Sequence, residues 1–377
     1  MFNLFIQLID LLNVPITIFF IIYALLQVCL FITAFFSPGR KNSSPLHRPP
    51  VSIIIPFRNE ERQLGTLLDS LKKLRYKAPI EIVFIDDGSD DDSKNIVDQY
   101  ANNPTHTVQL LSNRFDPSRQ LTSKQQALEA GITAASYEVI ALTDADMALS
   151  PKWLDRLVGA LDDTTALVFG HTIITPSGKL FPLLQSLQLE FLFSIAVLFH
   201  NLHIPGSCMG NNLLIRKSAY LSCGGQTAIG YSIAEDQALL HRFRRCGHSI
   251  GTVSPFHPTA MTPPQTTIDG FIQQISRWAS GGFSGNRILL FFGVLFGLHV
   301  FVTCILCTGI LHRTTSMAGL GSFCIAWLVT AVMFTRNRSK VSPLLFPLLY
   351  PMILMETITL FGVFASGKRL RWKERSI

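Results

Sequence analysis

The chain has 377 residues, enough for one large domain or two ordinary ones, and a formal net charge of +7 at pH 7. Apolar residues make up 48% of it and charged residues only 15%, against about 25% in typical soluble proteins, so we expect part of the chain to lie in lipid. No stretch interleaves basic and aromatic residues in a polar context. This argues against nucleic acid as a partner and for Lys and Arg residues that flank membrane spans.

The first predicted element is an uncharged apolar stretch over residues 14–36, long enough to cross a bilayer of about 30 Å. A cleaved signal peptide would need a basic start and a shorter apolar core, whereas the N-terminal sequence MFNLFIQLID is not basic. We therefore predict an uncleaved transmembrane anchor over residues 1–38. Basic residues that follow a span mark its cytoplasmic side, and here they are Arg40, Lys41, His47 and Arg48.

Strands alternate with helices after the anchor. The predicted strands are 51–56, 80–87, 107–112 and 138–146, and the predicted helices between them are 60–74, 91–101 and 122–135. This alternation predicts right-handed crossovers and a mainly parallel sheet. Ligands of such sheets bind beyond the carboxyl ends of the strands.

Acidic residues follow two of these strands. Asp86 and Asp87 close the second strand, and Asp144 and Asp146 close the fourth. Residues two apart in an extended strand point the same way, and two such charges at about 4 Å repel by roughly 4 kcal/mol at an effective dielectric near 20. A divalent cation that bridges phosphate oxygens would relieve this repulsion. Alternatively, the acids cap the next predicted helix, 150–163, which is the better interpretation of a lone D-x-D pattern.

Two further motifs come later in the chain. Glu235 and Asp236 open a predicted helix, where the helix dipole stabilises ionised carboxylates. Gln274, Arg277 and Trp278 form a Q-x-x-R-W pattern, in which Gln and Arg share a helix face and Trp adds a flat wall. The alternative for the second motif is a helix that lies on the membrane surface.

The C-terminal third, residues 286–366, is apolar again. We predict spans near 288–311, 316–334 and 343–366, the last interrupted by prolines, and a basic tail over 367–377. A fully crossing third segment would put this tail outside the cell, against the positive-inside rule. We favour a re-entrant or interfacial segment that returns the tail to the cytoplasm. A transporter would also have spans, but it leaves the region between them unexplained.

The ordered motifs resemble those of the membrane-bound family 2 glycosyltransferases of GT-A fold, a group with polysaccharide synthases and ceramide-glucosyltransferase-like enzymes. The resemblance covers about residues 50–282 and rests on IPFRNEE (55–61), IDDGSDDDS (85–93), SKQQALEAGI (123–132), DAD (144–146), GNNLLIRKSAY (210–220), ED (235–236) and QISRW (274–278). It implies a cytoplasmic α/β domain over 48–285, Rossmann-like and of the nucleotide-diphospho-sugar transferase type, with flanking transmembrane helices.

The resemblance also implies site residues. Those that would bind the donor, a nucleotide sugar and by preference a UDP-sugar, are Pro56, Arg58, Glu60, Asp86, Asp87, Lys124 and Asp144. Asp146, with Asp144, would bind Mg²⁺ or Mn²⁺. Asp236 would be the general base and Arg277 would stabilise the leaving group. The residues that would close over donor and acceptor are Glu235, Gln274, Arg277 and Trp278.

The implied reaction is inverting, metal-dependent sugar transfer at the cytoplasmic face of a multi-pass cell-membrane protein. Cellulose-type synthases keep a Thr before the Glu-Asp pair, whereas this chain has Ala234, and its few spans argue against a long secretion channel. We therefore expect a lipid or short glycan acceptor. The alternatives are a processive polysaccharide synthase and a non-catalytic nucleotide-sugar-binding subunit. The apolar segment 180–202 fits a buried core helix or an amphipathic helix at the bilayer surface.

Overall fold

The computed structural model describes residues 2–36, 48–102, 105–203, 206–253, 259–283, 287–306, 313–336, 341–365, 371–372 and 375–376. Arg40, Lys41 and His47, from which the sequence predicts the cytoplasmic side, lie outside the described residues, as do residues 337–340 and most of the basic tail. The chain divides into two compact units. The helical unit comprises 1–39, 177–206 and 285–368, and the sheet unit comprises 40–176, 207–284 and 369–377.

The helices of the described chain fall in both units. They are α1 (Phe2–Phe36), α2 (Glu61–Lys72), α3 (Ser93–Asn102), α4 (Ser123–Ala134), α5 (Trp153–Gly159), α6 (Leu180–Asn201), α7 (Lys217–Ser222), α8 (Gly225–Ile229), α9 (Glu235–Arg245), α10 (Ile268–Phe283), α11 (Arg287–Leu306), α12 (Arg313–Arg336) and α13 (Leu349–Ala365). Short 3₁₀ turns occupy Pro117–Arg119 and Pro343–Leu348.

The strands belong to the sheet unit. They are β1 (Val51–Phe57), β2 (Ile80–Asp86), β3 (Thr107–Ser112), β4 (Val139–Leu142), β5 (Ala148–Leu149), β6 (Thr165–Phe169), β7 (Thr172–Ile174), β8 (Leu213–Arg216), β9 (Ser249–Thr252), β10 (Ala260–Thr262), β11 (Arg371–Trp372) and β12 (Arg375–Ser376).

Among the described residues, the main sheet has seven strands in the order β3-β2-β1-β4-β8-β6-β9. The strands β3, β2, β1 and β4 are parallel, β8 is antiparallel to both of its neighbours, and β9 is parallel to β6. A small sheet pairs β5, β10 and β7. The mainly parallel α/β sheet predicted from the sequence is therefore confirmed.

The core of the sheet unit follows from unbroken apolar strands. All seven residues of β1 and all seven of β2 are buried, as expected for parallel strands that helices cover on both faces. The helix α2 contributes Leu64, Leu67, Leu68 and Leu71, whose spacing of three and four residues forms one buried stripe. The core thus fixes the strands whose carboxyl ends carry the acidic residues.

The fourth strand is shorter than the sequence predicted. β4 ends at Leu142, and Asp144 and Asp146 lie beyond it, around a turn, because the chain leaves the main sheet there to form β5 in the small sheet. Strand alternation therefore does not set the directions of the two carboxylates. The helix-cap alternative is wrong as well, since α5 begins after Lys152 without a side-chain cap.

The helical unit contains three helices long and apolar enough to cross a membrane, by length and composition, in the described part of the chain. They are Leu11–Cys29, Leu180–Asn201 and Arg313–Thr335, and shorter apolar helices occupy Gly293–Ile305 and Leu344–Thr359. Within this unit α1 and α12 share a polar contact. Thr315 Oγ1 donates to Asn13 Oδ1 at 2.9 Å and lies 2.8 Å from Thr17 Oγ1. Such hydrogen bonds link helices in lipid.

The helix α6 lies inside the region 48–285 that the sequence predicts as the catalytic domain, yet its contacts place it in the helical unit. Its polar side chains Gln188 and Glu190 are buried, whereas Leu180 and Leu192 are exposed. Gln188 Nε2 donates to Glu356 Oε2 on α13 at 2.7 Å. Polar side chains turned inward and leucines turned outward are typical of a helix in lipid rather than of one at a water-facing surface.

A buried amide, directly before β8, ties this strand to α5 and to the residue that precedes β10 within the sheet unit. Asn212 is fully buried, its Oδ1 accepts from Trp153 Nε1 at 2.9 Å, and its Nδ2 donates to Thr259 Oγ1 at 2.7 Å. The backbone at Gly170 packs closely against this amide. A side chain there would clash, because a Cβ on Gly170 would lie 2.3 Å from Asn212 Oδ1. The amide therefore fixes the start of β8, directly after the G-N-N segment.

We expect Asn212→Ala to destabilise the protein by about 2 kcal/mol or more, since each buried group left unpartnered costs about 1–3 kcal/mol. Thermal unfolding of the detergent-solubilised protein measures the effect. The matched control is Asn95→Ala, which removes an exposed hydrogen bond to Asp92. Equal unfolding midpoints for the two variants would contradict the structural role of Asn212.

Candidate active site

The carboxyl ends of β1, β2 and β4 lie side by side at one edge of the sheet. Phe57 is opposite Asp86, and the N–H of Thr143 donates to the carbonyl of Ile54 at 3.3 Å. Side chains that follow these three strands therefore gather at one edge, where parallel sheets bind ligands.

Two loops at this edge form one wall. After the buried Pro56 in β1, Arg58 approaches Asp90 with 3.7 Å between Nη2 and Oδ2. The backbone N–H of Glu60, the N-cap of α2, donates to Ser93 Oγ at 2.7 Å. Asn59 has a left-handed φ of 52° and accepts from the N–H of Asp90 at 2.8 Å. The loop with Pro56, Arg58 and Glu60 is thus held against the loop that follows β2.

Asp86 and Asp87 differ in their surroundings. Asp86 Oδ1 accepts from the N–H of Ser89 at 2.9 Å, which shapes a local turn. Asp87 is almost fully buried and accepts from Ser123 Oγ at 2.5 Å and from Asn113 Nδ2 at 2.7 Å. Burial raises the pKa of Asp87, and the hydrogen bonds from Ser123 and Asn113 oppose that rise. Ser123 opens α4, so Asp87 also fixes the start of the helix that carries Lys124.

Lys124 forms the central contact of the site. Its Nζ lies 2.9 Å from Asp144 Oδ1 and 2.8 Å from Glu235 Oε1. Burial lowers the pKa of Lys124, but the two carboxylates outweigh this and raise it above its usual value, so the ammonium stays charged. The bridge joins three segments that are distant in sequence: α4, the turn after β4, and the start of α9.

The neighbouring residue Gln125 fixes the backbone on both sides of this bridge. It closes a capping box with Thr122 at the start of α4. Its Nε2 donates to the carbonyl of Gly230 at 2.8 Å, and its Oε1 accepts from the N–H of Ser232 at 3.1 Å. The loop that leads into Glu235 is therefore tied to the helix of Lys124.

Asp236 lies in the first turn of α9. Its Oδ2 accepts from the N–H of Gly210 at 2.8 Å, and its Oδ1 accepts from the N–H of Gln237 at 2.8 Å. Burial, with the charge of Glu235, raises the pKa of Asp236 to about 7, against the opposing effects of these N–H groups and of Lys124. A carboxyl group with this pKa can take up or release a proton near neutral pH.

These side chains line one narrow cleft in the sheet unit. The polar lining residues are Lys124, Thr143, Asp144, Gln226, Glu235 and Asp236. The other lining residues are Leu128, Leu142, Gly210, Leu213 and Leu239. Acidic, basic and apolar groups thus share a concave surface, as expected of a binding site for a small polar molecule.

The Q-x-x-R-W residues lie on α10. Burial lowers the pKa of Arg277, while the charges of Glu235 and Asp144 oppose this, so the guanidinium lies within electrostatic reach of the Lys124 bridge. Trp278 is 39% exposed and Gln274 is half-buried. Among the described residues, the cleft lining does not include Asp146, Gln274, Arg277 or Trp278.

A divalent cation fits the chemistry of the acidic pair but needs further ligands. In the part of the chain that the structure describes, no group of three acidic, His or Cys side chains is close enough to bind a metal unaided. Asp144 and Asp146 are both half-buried and supply carboxylate oxygens, the donors that Mg²⁺ and Mn²⁺ prefer. These two residues could therefore hold a cation only if it takes its remaining ligands from outside this pair.

Several members of the site, Gly210 and Thr143 among them, were not recognised from the sequence. Gly210 was recognised only as part of the G-N-N segment, although its N–H orients Asp236, and Thr143 was not singled out. A Cβ on Gly210 would lie 2.7 Å from Asp236 Cβ, so the contact requires glycine. No spacing rule could have found this, because the two residues are 26 positions apart.

Known proteins that are similar to this chain are glycosyltransferases. A family model described as glycosyl transferase family 21 matches residues 13–376. The probable glycosyltransferase YdaM of Bacillus subtilis is 26% identical over 293 residues, which cover 70% of this chain and 66% of that protein. An undecaprenyl-phosphate 4-deoxy-4-formamido-L-arabinose transferase of Yersinia enterocolitica is 33% identical over 116 residues, 30% of this chain and 34% of that protein. The chain thus matches about a third of the length of this relative.

Among solved structures, a mannosyltransferase from Pyrobaculum calidifontis, PcManGT in complex with GDP-Man and Mn²⁺, is similar. It aligns with a TM-score of 0.61 over 95% of this chain and 98% of that chain, at 16% sequence identity. At this identity the likeness shows the fold alone, and it confirms the predicted α/β fold of GT-A type.

Because the pKa of Asp236 is raised in the folded protein, the free energy of unfolding should depend on pH. An unfolded chain loses this proton near the ordinary pKa of 3.8, but the folded protein keeps it until about 7. The unfolded state therefore binds fewer protons between these values, and unfolding becomes easier as the pH rises across that interval.

We expect Asp236→Asn, which removes this titration, to gain in unfolding temperature relative to wild type as the pH rises from about 4 to about 8. Thermal unfolding across this interval measures the difference. The exposed Asp98→Asn is the matched control. A difference between Asp236→Asn and wild type that is constant with pH would contradict the raised pKa.

Proposed function

The chain belongs to glycosyl transferase family 21 and is a glycosyltransferase, and from that premise we propose that it moves a sugar from a nucleotide-diphosphate sugar to a lipid or short glycan acceptor. The observation that carries the proposal is the cleft in which Lys124 bridges Asp144 and Glu235 beside Asp236. Such a cleft offers carboxylates for a cation, positive charge for a diphosphate and a carboxyl group for a proton. We also propose that the chain is related to the family 2 glycosyltransferases and that the sugar it transfers is a hexose.

On the donor side, Pro56, Arg58 and Glu60 contact the base and ribose, and Asp86 and Asp87 support the nucleoside diphosphate. The hydrogen bonds of this wall to the loop after β2 support a preformed nucleotide site. We favour a UDP-sugar. A GDP-sugar is the first alternative to test, because the structurally similar PcManGT is in complex with GDP-Man.

We propose that Asp146, aided by Asp144, holds Mg²⁺ or Mn²⁺ against the diphosphate of the donor. The cation, when bound, neutralises charge that develops on the leaving diphosphate. Lys124 Nζ lies 2.9 Å from Asp144 Oδ1, so a diphosphate whose cation is held by Asp144 would lie close to this positive charge. Arg277 adds positive charge near Asp144 and Glu235 and stabilises the same leaving group.

Asp236 acts as the general base. The acceptor hydroxyl oxygen bonds to the anomeric carbon, its proton passes to the Asp236 carboxylate, and the bond from the anomeric carbon to the diphosphate oxygen breaks. A single displacement of this kind inverts the anomeric centre. A pKa of about 7 suits the task, because a general base works best when its pKa lies near the operating pH.

Glu235, Gln274, Arg277 and Trp278 close the site over donor and acceptor. Glu235 holds Lys124 at 2.8 Å, and the exposed Trp278 offers a flat apolar surface on which a sugar or lipid can pack. Closure of this kind excludes water, which favours transfer over hydrolysis of the donor.

The three helices of the described chain that are long and apolar enough to cross a membrane support a lipid-embedded acceptor. A relative that acts on undecaprenyl-phosphate, as its name states, agrees with this. We propose a multi-pass protein of the cell membrane with the sheet unit in the cytoplasm.

A processive synthase differs in product size, because it yields a ladder of polymer rather than one added sugar. A non-catalytic subunit would bind donor without releasing nucleotide.

We expect the full-length protein in detergent to release nucleotide from UDP- or GDP-sugars when Mn²⁺ and a lipid extract are present. Asp236→Asn should lower kcat by about a hundredfold or more, since general base catalysis contributes about 10²–10⁴-fold. Wild-type activity should rise about tenfold per pH unit below about 7 and then level. Asp98→Asn is the matched control. Unchanged turnover in Asp236→Asn would rule out the assigned base.

We expect Asp146→Asn to raise the Mn²⁺ concentration for half-maximal activity by about tenfold or more, because it removes the more direct of two carboxylate ligands. Asp144→Asn should raise it less. Activity measured across a Mn²⁺ titration gives both values. A titration curve for Asp146→Asn that superimposes on that of wild type would overturn the assignment.

A further inference from the structure

Two cysteines outside the cleft occupy equivalent positions at the ends of two helices. Cys223 is the C-cap residue of α7, and Cys246 is the C-cap residue of α9. In both cases the next residue is a glycine, Gly224 or Gly247, and each glycine has a left-handed φ of 84°. Such a glycine ends a helix and turns the chain away from it. Each cysteine therefore lies at the point where its helix stops.

Arg242 on α9 brings these two helix ends together within the sheet unit. Its Nε donates to the carbonyl of Cys223 at 2.7 Å. Arg242 and Cys246 are four residues apart, and the N–H of Cys246 donates to the carbonyl of Arg242 at 3.0 Å, so the two side chains share one face of α9. The face of α9 that contacts Cys223 is thus the face that ends at Cys246. In agreement with this, the two thiols lie within hydrogen-bonding distance of each other.

The two thiols differ in their access to solvent. Cys223 is 2% exposed, whereas Cys246 is exposed. Burial, with the neighbouring Cys246 thiol, raises the pKa of Cys223 to about 12, against the opposing charge of Arg242. An oxidant from solution therefore reaches Cys246 first. In the described part of the chain no third metal-binding side chain joins the pair, which favours a disulfide over a metal site.

We propose that Cys223 and Cys246 form a reversible disulfide, with glutathione disulfide or a similar small disulfide as the oxidant. The Cys246 thiolate attacks one sulfur of glutathione disulfide, and a glutathione thiolate leaves. The Cys223 thiol then loses its proton, its sulfur attacks that of Cys246, and a second glutathione thiolate leaves. Two cysteine thiols are thereby oxidised and one glutathione disulfide is reduced, and the two protons from the cysteines pass to the two glutathione thiolates.

This bond closes a covalent loop that includes part of the cleft. Residues 224–245, between the two cysteines, comprise α8, the loop that Gln125 holds, and α9 with Asp236 in its first turn. A cross-link stabilises the folded form of such a segment by limiting the conformations of the unfolded chain. The redox state of the two cysteines thus sets how firmly the segment with Asp236 is held.

Peptide mapping of the full-length protein in detergent tests whether the bond forms. The protein is equilibrated with reduced or oxidised glutathione, free thiols are blocked with N-ethylmaleimide, and tryptic peptides are analysed without reduction by mass spectrometry. Trypsin separates the two cysteines, because Arg242, Arg244 and Arg245 lie between them. We expect the two peptides to be linked in most molecules after oxidation and to separate with dithiothreitol.

Two variants control the mapping experiment. Cys246→Ser should remove the linked peptides, and because Cys246 is exposed we expect this variant to fold. Cys324→Ser is the matched control, since it removes an exposed thiol of the helical unit and should keep the linked peptides.

Stability and hydrogen exchange test the consequence of the bond. Oxidation should raise the unfolding temperature of wild type and of Cys324→Ser by about 5 °C or more, since the disulfide restricts the unfolded chain. Hydrogen exchange of residues 224–245 should become slower in the same samples. Cys246→Ser should show neither change.

Two outcomes would overturn the proposal. One is a wild type that stops at a mixed disulfide of Cys246 with glutathione and gives no linked peptides. The other is a linked pair that leaves both the unfolding temperature and the hydrogen exchange of residues 224–245 unchanged. Neither outcome affects the proposed function, because no nucleotide or sugar enters these measurements.

Discussion

The ion pairs of the Lys124 ammonium with Asp144 and Glu235 allow several acidic side chains to lie in one cleft. Asp144, Glu235 and Asp236 line one small surface, and like charges about 4 Å apart repel by roughly 4 kcal/mol at an effective dielectric near 20. Lys124 offsets this repulsion by bonding to Asp144 and Glu235 at once, at 2.9 and 2.8 Å. It also makes the folded cleft depend on three separate segments, so the charge pattern and the tertiary structure are coupled.

The rest of the site follows from this arrangement. Because Lys124 is shared by Asp144 and Glu235, Asp236 gains little compensation, and burial raises its pKa to about 7. The same contact leaves Asp144 half-exposed and able to bind a cation that brings its own diphosphate. The balance of charges thus gives one carboxyl group the properties of a base and another those of a metal ligand, as in enzymes whose paired acids have different roles.

Much of this could be predicted from the sequence, because strong local signals determine it. The buried strands β1 and β2 lie where the apolar runs predicted them, and α4 lies within the predicted helix 122–135. The extent of β4 could not be predicted, because the small sheet competes for the chain after Leu142. The position of α6 in the helical unit was also missed, since its Gln and Glu residues resemble the polar face of a surface helix. Contacts between distant residues, such as Gly210 with Asp236, leave no periodic signal in the sequence.

The central claim is that one cleft holds the donor between Asp144 and Asp236. The most direct measurement is an experimental structure of the full-length protein with Mn²⁺ and an unreactive, non-hydrolysable nucleotide-sugar analogue. We expect the diphosphate at Lys124 and Asp144, with the cation on Asp146, and the anomeric carbon facing Asp236 with room for an acceptor oxygen at about 3–3.5 Å. A nucleotide sugar bound elsewhere, with Lys124 still bridging Asp144 and Glu235, would contradict it.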